Sequence, residues 1–331
     1  MEKNVALVLS GGGPRGFAYI GAIEELESRG YKITSIAGTS IGSLVGGVYA
    51  AGKLEEVKNW LFTLDTMKMF GLVDFSLSMN HLVKGDRVIA ALKEIVPVVN
   101  IEDLNIPYKA VATDLYTGEE VVFTQGDLFS AIRASISIPT LFKPVEYKDS
   151  LLIDGAMSNC LPINRIQRTP GDILVAFDVN DIQPSNIRDI IVREKYAKRS
   201  DEDFKNQKKQ EAMQIWNEFK ESGQAYSLTD RLKYFGGKGL DLLSEVMNYK
   251  EEYDEDKALG FANSYMSVID RAFSIMNHFN SEFSLRLNEP DVLARMPFDA
   301  YGDIKDYTKA KEISQLGRKL MAEALDKYES A

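Results

Sequence analysis

Cysteine is nearly missing: Cys160 is the sole one in 331 residues. An internal disulfide is thereby excluded, and so is a metal site built on cysteines. Histidine is almost as scarce, with only His81 and His278, so any chemistry that needs an imidazole has two candidates. Long hydrophobic runs are lacking too. The opening "MEKNVALVLSGGG" has no positively charged leader, and its apolar run of about five residues falls far short of the roughly 18 that a membrane span needs. No other segment approaches that length. Positive charge is in deficit, with 39 Lys and Arg against 49 Asp and Glu and a net charge of −10. That balance argues against a nucleic-acid partner and offers no general attraction to an anionic membrane. Internal repeats and low-complexity tracts are absent as well. Together these absences point to a soluble, cytoplasmic protein that touches a membrane surface transiently at most.

What is present is an ordinary globular composition, 45% hydrophobic and 27% charged, long enough for one large domain or two modest ones. Val5–Leu9 reads as a buried strand. The spacing of Ile20, Ile23 and Leu26 predicts a helix from Phe17 to Arg29, ended by Gly30. Ile33–Ala37 is a second short strand, and Ile41–Ala51 a buried helix closed by Gly52. This is the βαβα rhythm of a mainly parallel α/β sheet flanked by helices. Further on, Tyr108–Asp114 and Glu119–Thr124 read as paired strands, Leu128–Ser135 as a helix, and Leu151–Ile153 and Ile173–Val179 as strands. Composition changes near Asp181. From Ser185 to about residue 255 the chain is highly charged and predicts a long solvated helix of mixed sign. Phe261–Phe283 returns to amphipathic spacing, "DVLARMPF" reads as a late strand, and Tyr307–Tyr328 as a final helix.

The loop "SGGGPRG" presents Gly11, Gly13 and Gly16 in the G-x-G-x-x-G pattern, between a strand and a helix. That is the setting of a dinucleotide fingerprint. Such a site also needs an acid at the end of the second strand, and here that strand ends "SIAGTS". No P-loop motif occurs either. The same strand end gives a different signal. "GTSIG", Gly38 to Gly42, is a G-x-S-x-G between strand and helix, the pattern of a nucleophile elbow. Glycines flank the serine because the turn is too tight for side chains. Ser40 is then lifted to a helix N-terminus, where free N–H groups favour negative charge.

A nucleophilic serine needs a base. His81 in "SMNHLVKGD" and His278 in "SIMNHFNSEF" have no motif around them, although the order Ser40, Asp154, His278 would fit a triad. The other candidate is Asp154 in "LLIDGAMSN", an acid at the end of a short apolar strand. It reads either as a turn aspartate or as a residue at the edge where a parallel sheet presents its functional groups.

Four blocks, in order, resemble one family, the patatin-like phospholipases. "SGGGPRG" is similar to that family's glycine-rich oxyanion loop. "GTSIG" is similar to its nucleophile elbow, "RASISIPTLFKPV" to its Arg-Ala-Ser-x-x-x-Pro block, and "DGAMSNCLP" to its Asp-Gly block, with Asn159 and Pro162 following. The resemblance covers about residues 5 to 180 and resumes from about 260 to 328. It implies a three-layer α/β sandwich with a catalytic core over 1–184, a charged helical insertion over 185–258 and the rest of the core over 259–331.

The resemblance also implies a serine acyl hydrolase acting on fatty-acyl esters of (phospho)lipids. Ser40 would be the nucleophile and Asp154 its base. The Gly12 and Gly13 amides, with Gly11 shaping the turn, would form the oxyanion hole. Gly16, Gly38, Gly42 and Gly155 would support the turns. Arg15 would brace the loop, meet a substrate phosphate, or sit as a surface arginine. No metal or cofactor is required. Two other activities stay open: an esterase or thioesterase on soluble acyl groups, and a non-catalytic lipid-binding protein on the same fold. Residues 64–82, rich in Met, Phe and Leu, and a stretch from Tyr234 read as a mobile apolar lid or as core.

Overall fold

The structure, a computed structural model, describes residues 3–65, 68, 86–139, 141–182, 204, 206–215, 217–219, 221, 237–238, 265–298, 300–301 and 304–331. The chain divides into two compact units, residues 1–182 with 269–331, and residues 183–268.

The first unit is an α/β sandwich built on an eight-stranded sheet. Strands β1 (Lys3–Leu9), β2 (Tyr31–Thr39), β3 (Tyr108–Asp114), β7 (Ile173–Asp181) and β8 (Val292–Pro297) are parallel, in the spatial order β8, β7, β1, β2, β3. The continuous apolar run of β1 reflects burial on both faces, as parallel strands require. Val5, Leu7 and Leu9 join one core with the helices α1 (Ala18–Ser28), α2 (Ile41–Ala50) and α7 (Ala310–Glu329). The alternate residues Ala6 and Val8 meet Leu161, Ile163 and Leu285 on the other face, the last from α6 (Tyr265–Leu287). Helices α3 (Leu54–Leu61), α4 (Asp86–Lys93) and α5 (Leu128–Ser135) complete this unit's set among the described residues. Asp127 caps α5, its carboxylate accepting from the Ser130 amide at 2.7 Å. Helices α1 and α7 cross so closely that a methyl group on Gly21 or Gly317 would strike the other helix's backbone.

Three strands depart from the parallel pattern. Strand β4 (Glu120–Phe123) pairs antiparallel with β3, and β6 (Ser150–Asp154) pairs antiparallel with β3 and with β5 (Val145–Tyr147). Asp154 therefore does not close a parallel strand, as the sequence suggested. The register explains where it arrives. Val111 and Ala112 pair with Val122 and Val121 of β4 on one edge of β3. Their remaining partners, Thr39 at the end of β2 and Asp154 at the end of β6, must share the other edge. Strands β2 and β6 thus run toward each other along β3 and stop on consecutive residues. Their two ends are where Ser40 and Asp154 lie.

In the unit 183–268 the described residues are helical, with ion pairs such as Lys208 with Glu211 at 2.8 Å one turn apart. Among the described residues no helix is long and apolar enough to cross a membrane.

Candidate active site

Ser40 sits between β2 and α2 with φ 54° and ψ −124°, one of two non-glycine residues at positive φ among the described residues. Such a backbone costs on the order of 1–3 kcal/mol and persists only when its surroundings enforce it. The enforcement is visible. A β-carbon on Gly38 would come within 2.5 Å of the Gly42 carbonyl group, and one on Gly42 would run into the Leu9 and Ser10 carbonyls. The Ser40 amide donates to Ser135 Oγ at 2.8 Å, and Ser135 Oγ donates onward to the Val111 carbonyl at 2.6 Å. The Ser40 carbonyl accepts from the Leu44 amide and from Ser43 Oγ.

Ser40 Oγ donates to Asp154 Oδ2 at 2.5 Å, and both residues are buried. Asp154 Oδ1 accepts from the Ala156 amide at 2.9 Å, and the Asp154 amide donates to the Ser137 carbonyl at 2.9 Å. The last turn of α5 and the residues after it therefore hold both partners, Ser135 the serine and Ser137 the aspartate. Gly155 passes so close to the Val111 carbonyl that no side chain fits there. Burial raises the Asp154 carboxyl to about 7, against the opposing pull of the hydrogen bonds from Ser40 and the Ala156 amide. A carboxyl in that range is half ionised near neutral pH and can take a proton.

The glycine loop lies against the serine. A β-carbon on Gly11 would stand 3.3 Å from Ser40 Cβ. The Gly11 amide is already committed to the Cys160 carbonyl at 3.0 Å, so of the three glycines Gly11 offers no donor. Among the described residues the amides of Gly12 and Gly13 have no acceptor. Gly13 has φ +59°, and a side chain on Gly12 would collide with Val179. Gly16 packs on Ile41 with no room for a methyl group.

Arg15 is neither a surface residue nor free to meet a phosphate. It is buried, donating from Nε to the Val179 carbonyl at 2.8 Å and from Nη1 to the carbonyls of Phe298 and Tyr301 at 3.0 and 2.9 Å. Nη2 reaches Asn180 Oδ1 at 3.4 Å. Its guanidinium also lies over the Phe298 ring, 5.1 Å from the centroid. Burial lowers its pKa from the usual arginine value. Lysine could not replace this fork, because a point charge cannot serve four divergent acceptors.

Two residues given no role by the sequence complete the frame. Asn180, at the end of β7, donates from Nδ2 to the Gly11 carbonyl at 2.7 Å and binds Asp178 and Ser10. Ser135 lay inside the "RASISIPT" block but carried no role there. His278 meets neither Ser40 nor Asp154; its Nδ1 is 3.0 Å from the Asn180 carbonyl oxygen. His81 lies outside the described residues, as do nearly all of 64–82 past Asp65 and nearly all of the stretch from Tyr234. Cys160 is buried, and burial pushes its thiol up, so it remains an unreactive thiol. Among the described residues no three His, Cys, Asp or Glu side chains gather as a metal site.

With this geometry in place, comparison with known proteins adds the family. Residues 7–165 match the family model "Patatin-like phospholipase". The chain carries a patatin-like phospholipase domain. An uncharacterized NTE family protein of Mycobacterium tuberculosis is 43% identical over 188 residues, covering 57% of this chain and 52% of that protein. The mouse patatin-like phospholipase domain-containing protein 7 is 32% identical over 182 residues, 53% of this chain and 13% of that protein. The chain spans about half the length of the mycobacterial relative and a small part of the mouse one. VipD from Legionella pneumophila aligns over 98% of this chain and 67% of its own, at 14% identity and a TM-score of 0.37. All four blocks that suggested the patatin-like domain lie within or at the margin of residues 7–165.

Proposed function

We propose that the chain is a serine acyl hydrolase that cleaves fatty-acyl esters of lipids, with Ser40 as nucleophile and Asp154 as its base. The observation that carries this is the hydrogen bond from Ser40 Oγ to Asp154 Oδ2, 2.5 Å long, buried and placed at a nucleophile elbow. The family supports lipid acyl hydrolysis in general.

The substrate carbonyl enters between Ser40 and the glycine loop. Ser40 Oγ attacks the carbonyl carbon as its proton passes to Asp154. The carbonyl electrons move onto oxygen, and the resulting oxyanion accepts from the Gly12 and Gly13 amides. One such donor is worth about 10²–10³ in rate. Collapse breaks the bond to the alcohol, which leaves with the proton from Asp154. A water then gives a proton to Asp154 and attacks the acyl-Ser40 ester. Release of the fatty acid returns the proton to Ser40.

Fluorophosphonate labelling together with ester hydrolysis tests this. Ser40→Ala is expected to lose the label, and Asp154→Asn to lose turnover by at least about a thousandfold. Label retained in Ser40→Ala, or full turnover in Asp154→Asn, rejects the assignment. A panel of phospholipids, lysophospholipids, short-chain esters and thioesters then separates a lipase from an enzyme of soluble acyl groups.

A further inference from the structure

Tyr307 belongs to the 3₁₀ turn Ile304–Lys309, before α7. Its hydroxyl oxygen stands 3.6 Å from where a β-carbon on Gly13 would be. The ring is held edge-on against Phe17, centroids 5.8 Å apart at 82°. The residue is half-buried, yet among the described residues the hydroxyl has no hydrogen-bond partner. Such a hydroxyl is left to water or to an incoming group. The segment is also tied to the glycine loop, because Arg15 in that loop binds the Phe298 and Tyr301 carbonyls upstream of Tyr307. The Gly13 amide beside it is equally without an acceptor. Two donors without acceptors thus lie on neighbouring groups. Burial raises the phenol to about 12, so it keeps its proton at neutral pH and has that hydrogen to donate.

We infer that Tyr307 is a substrate-contacting donor, a third hydrogen bond to the reacting carbonyl oxygen beside the amides of Gly12 and Gly13. This inference rests on Ser40 being the nucleophile. The donor strengthens as charge develops on the oxygen, so its effect falls on turnover more than on ground-state binding.

The test is Tyr307→Phe, which keeps the ring on Phe17 and removes only the hydroxyl. Three measurements are made on the full chain: hydrolysis of a p-nitrophenyl acyl ester, inhibition by an alkyl trifluoromethyl ketone that forms an oxyanion on Ser40, and the melting temperature. The expected result is a kcat lower by about ten- to a hundredfold with KM within about threefold. Ketone affinity should weaken by a similar factor, and the melting temperature should not move. Wild-type kcat and ketone affinity in Tyr307→Phe overturn the inference and leave Ser40 standing. A kcat loss that comes with a fall in melting temperature and unchanged ketone affinity also overturns it, since a packing role explains that. Failure of the wild-type chain to react with a fluorophosphonate at Ser40 overturns both readings.

Discussion

Around Ser40 the chain closes on its own backbone, with Gly38 against Gly42 and Gly42 against the Leu9 and Ser10 carbonyls. The facing loop, Gly11 to Gly13, has one backbone bond, from the Gly11 amide to the Cys160 carbonyl, and is otherwise held by side chains. Arg15 carries it to Val179, Phe298 and Tyr301, and Asn180 grips the Gly11 carbonyl. The elbow is therefore a local object whose geometry is set by steric exclusion. The loop is a distributed one, placed by hydrogen bonds that span up to 286 positions in the chain. Steric exclusion tolerates no added atom, whereas a polar brace can weaken by degrees. Damage at the elbow should appear first as lost folding, and damage at the loop first as lost turnover.

The harshest test of that contrast is Gly42→Ala. Its methyl group has only backbone to displace, so a loss of more than about 3 kcal/mol is expected in urea unfolding. A variant of wild-type stability would break the comparison. The next largest effect concerns Asp154. Its folded-state carboxyl at about 7 lies above the ordinary unfolded value of about 3.9. Between those values the folded chain binds more protons, so this group's contribution to stability is complete below pH ~4 and is lost as pH rises through ~7. The loss is on the order of 3–4 kcal/mol and should vanish in Asp154→Asn, compared by melting at pH 4.5 and 8. Activity should run the opposite way, rising with pH through about 7 as the base ionises. Arg15→Lys keeps the charge and loses the fork. It should cost about 2 kcal/mol and lower kcat by about tenfold or more, with activity failing at temperatures where the fold survives. Ser135→Ala leaves the Ser40 amide and the Val111 carbonyl without that partner. A cost of about 1–2 kcal/mol is expected, with turnover reduced less than in Arg15→Lys.

The same contrast governs what the sequence revealed. The β1–loop–α1–β2–elbow order was legible because each piece is local: an apolar run, a glycine cluster, a helical period. Gly30 and Gly52 stand at positive φ where the helices were expected to end. The final helix begins at Ala310, after a 3₁₀ turn, because backbone pattern alone does not separate the two. Asp154 was singled out, but the direction of its strand was not legible, since a three-residue apolar run reads the same parallel or antiparallel. Arg15 was assigned three roles, and only its burial against three carbonyls decides among them. Asn180 and Tyr307 carried no periodic or spacing signal, and Ser135 lay in a motif block that gave it no role. Their significance lies in what meets them from distant parts of the chain.

The end-to-end meeting of β2 and β6 along β3 has a consequence for how such a domain can diversify. Ser40 and Asp154 are 114 positions apart in the chain, yet their separation is set by two successive rungs, Val111 and Ala112, of a third strand. Insertions or deletions in the connections between these strands leave that ruler untouched. Evolution, or a protein engineer, can rewrite those connections while Ser40 and Asp154 stay in step. A one-residue slip of β6 along β3 would instead separate the pair without removing either member.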